Sequence, residues 1–158
     1  MTISITLIII VVTCIVSFTA FSNDKVFDEL IFYPPAITYQ KQFYRFFTCG
    51  FIHANYGHLL FNMYALYLFG TGVENRFMEI FGDKGRIIYL AMYVLALGAS
   101  LLPTYSKNKA NYHYRSLGAS GAVSAVVFAY MLFDPLIGIG LFLYPFTLQD
   151  FYLVFYTS

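Results

Sequence analysis

Charge is scarce in this sequence. Asp, Glu, Lys and Arg together make up 11% of it, nine basic residues stand against eight acidic ones, and neither sign forms a run. That leaves no electrostatic footprint for nucleic acid or for a strongly charged partner. Cysteine is nearly absent as well. Cys14 lies inside an apolar run and Cys49 far from it, with no CxxC pair, so neither a disulfide framework nor a zinc site is indicated. No internal repeat or low-complexity tract is present, which excludes a solenoid and leaves one unit over residues 1–158.

What is abundant is apolar surface: 59% of the residues are hydrophobic, 21% aromatic, and the mean hydropathy is +0.68. This composition points to a bilayer as solvent. Residues 2–21 are long enough to cross a hydrocarbon core of ~30 Å, and the chain has no Lys or Arg before Lys25, unlike a cleavable signal peptide. Since lipid leaves backbone groups to pair among themselves, further spans are predicted as helices, at residues 57–71, 85–103 and 117–133. Residues 22–52, broken by Pro34 and Pro35, read as an interfacial loop, residues 53–133 as the core, and 134–158 as a truncated fifth span. The stretches Glu74–Arg86 and Pro103–Arg115 read as surface loops. The fold class expected is thus an all-α membrane protein, a multi-pass helical bundle with four complete transmembrane helices and a partial fifth.

Polar side chains within such spans are costly, so each is a functional candidate beside the plainer reading of a hydrogen bond between helices. His58 and Asn62 are one helical turn apart and share a face, with His53 at the helix entrance. A polar seam explains that spacing equally well. In SLGASGAVSAVVFAYMLF, small residues around Ser120 uncover its hydroxyl, and Gly121, Ala125 and Ala129 form a close-packing stripe. A serine in that setting, taken alone, is a packing residue. Residues 117–133 reach only about 25 Å, so this helix starts below the membrane surface. Its first turn then needs a polar or watered cavity for its unpaired N–H groups, and a serine there beside an amide has the parts of an oxyanion site.

RFFTCGFIHANYGHLLFN, with GASG some sixty residues further on, resembles the rhomboid intramembrane serine proteases. The resemblance rests on Arg45, on His53, His58 and Asn62 in an HxxxxHxxxN pattern, on GTGVE with Glu74 and Arg76, and on Ser120 within Gly118–Gly121. It implies a six-helix core that cuts transmembrane segments of other membrane proteins, with no metal and no cofactor, and with the bilayer and substrate helices as partners. Ser120 is then the nucleophile, and Asn62, His58 and the Ser120 N–H form the oxyanion hole. Arg45, His53, Glu74, Arg76, Gly118 and Gly121 take structural positions. The location it implies is an integral, multi-pass one, in the inner (plasma) membrane of a bacterium. It also outweighs the loop charges, which by the positive-inside rule favour the reverse orientation.

The sequence departs from that pattern at one decisive place. Its histidines are His53, His58 and His113, and none follows Ser120, where the family carries its base on the sixth helix. Without a base a serine hydroxyl is a poor nucleophile. Ser124 also stands where many members have a tyrosine. Pro145, Gln149 and Asp150 interrupt the fifth apolar stretch, as a frameshift or early stop near Tyr144 would. The chain is thus expected to be inactive and short-lived, its Gly121–Ala125–Ala129 stripe lacking a sixth helix to pack on. The alternative is a noncatalytic rhomboid-like protein that binds membrane helices.

Overall fold

The computed structural model describes residues 4–133. They form seven α-helices, α1 (Ile5–Phe21), α2 (Asp24–Leu30), α3 (Pro34–Gln40), α4 (Arg45–Thr48), α5 (Tyr56–Phe81), α6 (Gly85–Asn108) and α7 (Ser120–Phe133), with short 3-10 helices at Cys49–Phe51 and Gly82–Lys84. Among the described residues there is no strand, only an isolated antiparallel bridge between Phe32 and Ser116. The expected fifth apolar stretch lies outside the described residues.

The helical stretch Tyr56–Asn108, which comprises α5, α6 and the turn between them, is by length and composition apolar enough to cross a membrane and contains an 18-residue window with a mean hydropathy of 1.9. α1 and α7 are shorter apolar helices. Outward-facing Leu7, Ile8, Val11, Val12, Ile15 and Phe18 make the exposed face of α1 apolar, as lipid contact requires. The core lies where α7 packs against α5 and α6. Leu59, Met63, Leu66 and Val73 recur at helical spacing along α5 and meet Tyr89, Tyr93 and Leu97 of α6 and Ala122, Val123 and Val126 of α7.

Three expected boundaries differ from the observed ones. α5 runs past residue 71 to Phe81, so Glu74 and Arg76 are helical rather than in a loop. Polar residues do not by themselves stop a helix, and this one ends only at Gly82. α6 continues through Pro103 to Asn108, because one proline removes a single backbone bond without unravelling a helix held on both sides. α7 begins at Ser120 and not at 117, because Gly118 holds a φ of +110° that no helix accepts. The helix before Phe133 is therefore shorter than expected.

Gly121, the first residue of the small-residue stripe, also finds a partner that the sequence reading did not give it. The Ser100 side chain of α6 fills the space where a Cβ on Gly121 would lie, so Gly121 is the contact point between α7 and α6. Its packing does not wait for a further helix.

α1 is fastened at its first turn by Glu74. That carboxylate accepts hydrogen bonds from Ser4 Oγ (2.6 Å), Ile5 N (2.9 Å), Thr6 N (3.0 Å) and Thr6 Oγ1 (2.9 Å), with Arg86 Nε at 3.4 Å. An anion at a helix N-terminus answers its orphan N–H groups and its positive end. Further along the same face Thr13 is fully buried and its hydroxyl has no partner among the described residues. Thr13→Val, nearly isosteric, is expected to leave stability unchanged or raise it by about 1 kcal/mol, since it removes a desolvated unpaired hydroxyl. A clear loss in a detergent thermal melt would show a hidden partner.

Candidate active site

The site is built where α7 begins. Residues 22–52, which contain α2, α3 and α4, lie against the strand-like approach to Ser120 and hold it residue by residue. Arg115 Nη1 donates to Asp28 Oδ1 at 2.8 Å, and its guanidinium lies over the Tyr33 ring. Ser116 and Phe32 exchange backbone bonds of 3.1 and 3.0 Å, Leu117 packs against the Ile31–Ile52 cluster, and Gly118 N donates to Cys49 O at 2.9 Å. The supporting loop is in turn closed by Arg45, buried, whose Nη1 donates to Asp28 O and Ile31 O, both at 2.8 Å.

His53 takes the next position. Its ring is fully buried, with Nδ1 at 3.0 Å from Ser17 Oγ and Nε2 accepting from Ala119 N at 3.5 Å. Since a backbone N–H can only donate, Nε2 is the bare nitrogen and Nδ1–H donates to Ser17, whose hydroxyl donates onward to Phe51 O at 2.8 Å. The chain of bonds ties α1, the loop and the residue before Ser120 together. It fixes His53 as a neutral strut, not a base.

Burial, with the neighbouring His58 second, lowers the His53 pKa from 6.5 to about 4. The unfolded chain therefore binds a proton between those values that the folded chain refuses. Stability supplied by neutral His53 is whole above pH 6.5 and is lost as pH falls through about 4, amounting to about 3 kcal/mol in all. Denaturation midpoints of wild type should fall across that window, and those of His53→Gln should stay flatter there.

His58 enters from the first turn of α5, which Asn55 caps by accepting the His58 N–H at 2.8 Å. Its ring stands edge-on to His53 at 5.0 Å between centroids. It also covers Gly118 so closely that a Cβ there would meet His58 Cε1 at 2.7 Å and Nε2 at 3.1 Å. Thus His58 is brought within two residues of Ser120. Asn62 is buried one turn below and donates from Nδ2 to His58 O at 2.9 Å, while Ser120 itself is exposed at the head of α7. The N–H groups of Ser120, Gly121 and Ala122 lie in that first turn, where a helix has no internal partners for them.

Other sequence candidates lie elsewhere. Glu74 stands at the first turn of α1, and Arg76 is on the surface of α5 in an ion pair with Glu79 at 2.8 Å. His113 is exposed in the loop between α6 and α7. No group of His, Cys, Asp and Glu with metal-site geometry occurs among the described residues. Ser17, Asn55 and Arg115 are the supporting residues that sequence reasoning did not single out. Asn55, followed three residues on by His58 at a helix start, carried a cap signal; Ser17 and Arg115 meet their partners only through tertiary contact.

A family model described as Rhomboid domain matches residues 40–158. Among curated proteins, Rhomboid-like protein 15 of Arabidopsis thaliana is 37% identical over 75 residues, which is 48% of this chain and 17% of that protein. The chain thus matches less than a fifth of that relative's length. No solved structure matches.

Proposed function

We propose, on the premise that this chain belongs to the rhomboid family and is an integral membrane protein, that its site is that of an intramembrane serine endopeptidase whose base is not supplied by these 158 residues. α1, α5, α6 and α7 are its four spans. Ser120 is the nucleophile. The Ser120 N–H, His58 and Asn62 receive the oxyanion of a cleaved peptide bond, and Arg45, His53, Glu74, Arg76, Gly118 and Gly121 hold the frame. Transmembrane segments of membrane proteins are the substrates. Nothing favours a bacterial plasma membrane in particular, and the curated relative is from a plant.

One observation carries the reading: the His58 ring closes directly over Gly118, which brings the polar end of α5 to the head of the helix that exposes Ser120. A hydroxyl at the positive end of a helix, with an imidazole packed over the glycine two residues before it, is suited to stabilise charge developing on a carbonyl oxygen. Proton removal is the missing half. His53 is committed to Ser17 and Ala119, and His113 is in a loop, so neither takes the Ser120 proton.

The 158-residue chain is therefore expected to leave a model membrane substrate uncut. The test joins residues 1–133 to helices five and six of an active rhomboid protease. Cleavage and fluorophosphonate labelling that vanish with Ser120→Ala are expected, and a folded chimera that does neither overturns the assignment.

The absence of a histidine after Ser120 favours a second reading, a rhomboid-like protein that binds membrane helices without cutting them. A single-pass partner whose binding survives both Ser120→Ala and Asn62→Ala would support it.

A further inference from the structure

One end of the hydrogen-bonded chain through His53 can only accept, and the other can only donate. Phe51 O, a carbonyl, takes the Ser17 hydroxyl proton at 2.8 Å. With its one proton committed, Ser17 Oγ faces His53 Nδ1 at 3.0 Å as an acceptor, so Nδ1 must carry the hydrogen. In the neutral ring Nε2 is then bare, which is the form that the Ala119 N–H needs. At 3.5 Å that last contact is too long to choose the tautomer by itself. The choice is made at the short bonds, by α1.

Ser17, His53 and Ala119 are all fully buried, so bulk water cannot replace a partner that one of them loses. Ala119 is also where the approach to α7 becomes helix. Its carbonyl accepts Val123 N at 2.9 Å, while its N–H is the one that His53 receives. Gly118 before it is held at its own N–H by Cys49 O. Ser120 follows directly, so where its hydroxyl stands depends on how Ala119 is held from behind. His58 stands edge-on to His53 at 5.0 Å and packs over Gly118, so a tilt of the His53 ring would disturb the imidazole at the site as well.

We propose that Ser17 is a positioning residue: by fixing which nitrogen of His53 is bare, α1 holds Ala119 and through it sets the Ser120 hydroxyl at the His58 end of α5. Without the serine hydroxyl the ring is free to carry its proton on Nε2, which sets donor against donor at Ala119. The catalytic consequence rests on the protease reading above; the tautomer does not.

Nitrogen NMR of the 158-residue chain, labelled at histidine and held in detergent at neutral pH, tests this, with His53→Gln identifying the His53 signals by their loss. Hydrogen on Nδ1 and a bare Nε2 are expected for His53, and the reverse overturns the proposal without any variant at Ser17. Ser17→Ala should move part of the population to the Nε2–H form and speed hydrogen exchange at the Ala119 amide about tenfold. Ser17→Thr, which keeps the hydroxyl, should keep the wild-type tautomer. Thr13→Val, on the same face of α1 but outside this chain of bonds, should alter neither reading. In the chimera of residues 1–133 with the last two helices of an active protease, Ser17→Ala should lower kcat about tenfold and leave KM within about twofold. An unchanged tautomer in Ser17→Ala, or a changed one with Ala119 exchange and kcat as in wild type, overturns the role of Ser17. A parent chimera that cuts nothing overturns the protease reading instead, and the tautomer and the Ala119 exchange then decide between a lock and a packing serine.

Discussion

Gly118→Ala is expected to be among the most damaging single substitutions in this chain. The residue has a φ of +110°, which a side chain tolerates at a cost of about 1–3 kcal/mol, and the added methyl would enter the His58 ring at 2.7 Å from Cε1. The ring cannot simply retreat. It stands edge-on to His53 at 5.0 Å, and His53 is pinned to Ser17 and Ala119. The total loss should reach about 3 kcal/mol or more in a detergent denaturation curve. The chimera described above should lose both cleavage and phosphonate labelling with it. A Gly118→Ala chain that melts within about 0.5 kcal/mol of wild type would mean that the approach to Ser120 does not have this shape.

Glu74→Ala should be comparably severe by a different route. The side chain is 2% exposed and collects three residues of the α1 start together with Arg86. Removing it leaves the Arg86 charge half-buried and strips the first turn of α1 of its acceptor, for which a cost of about 3–5 kcal/mol is expected. Glu74→Gln keeps an acceptor and should cost clearly less. Because Tyr89 Oη bonds Thr6 Oγ1 at 3.0 Å, the disturbance should also loosen α6. Chemical denaturation followed by hydrogen exchange at residues 5–9 would read both effects, and unchanged protection there would refute the role.

The same two residues show what could and could not be read in advance. GTGVE placed Glu74 at a structural position by its resemblance, yet the charge pattern put it in a loop. Its actual partner is the chain's own start, 68 to 70 residues away in sequence. Gly118 was marked as small, but a small residue is ambiguous until its φ and its neighbour are known. His53 was placed at the helix entrance. Its tautomer and its contact with Ala119 depend on α1 and on the approach to α7 arriving from opposite directions. The partner of Gly121 was misassigned for the same reason: a small-residue stripe announces a close approach without saying which helix approaches.

By itself the sequence determined the solvent, the all-helical backbone and the candidate nucleophile. Scarce charge and long apolar runs leave a chain in lipid no other way to pair its own amides, and HxxxxHxxxN with GASG is a local signal. It also showed no histidine between Ser120 and Ser158. Tertiary structure alone decided which helix meets which, that Glu74 closes the first turn of α1, that His53 is a strut, and that His58 covers Gly118. Those facts depend on groups far apart along the chain satisfying one another's buried hydrogen bonds and filling one another's space, and no local pattern of residues encodes a distance between them.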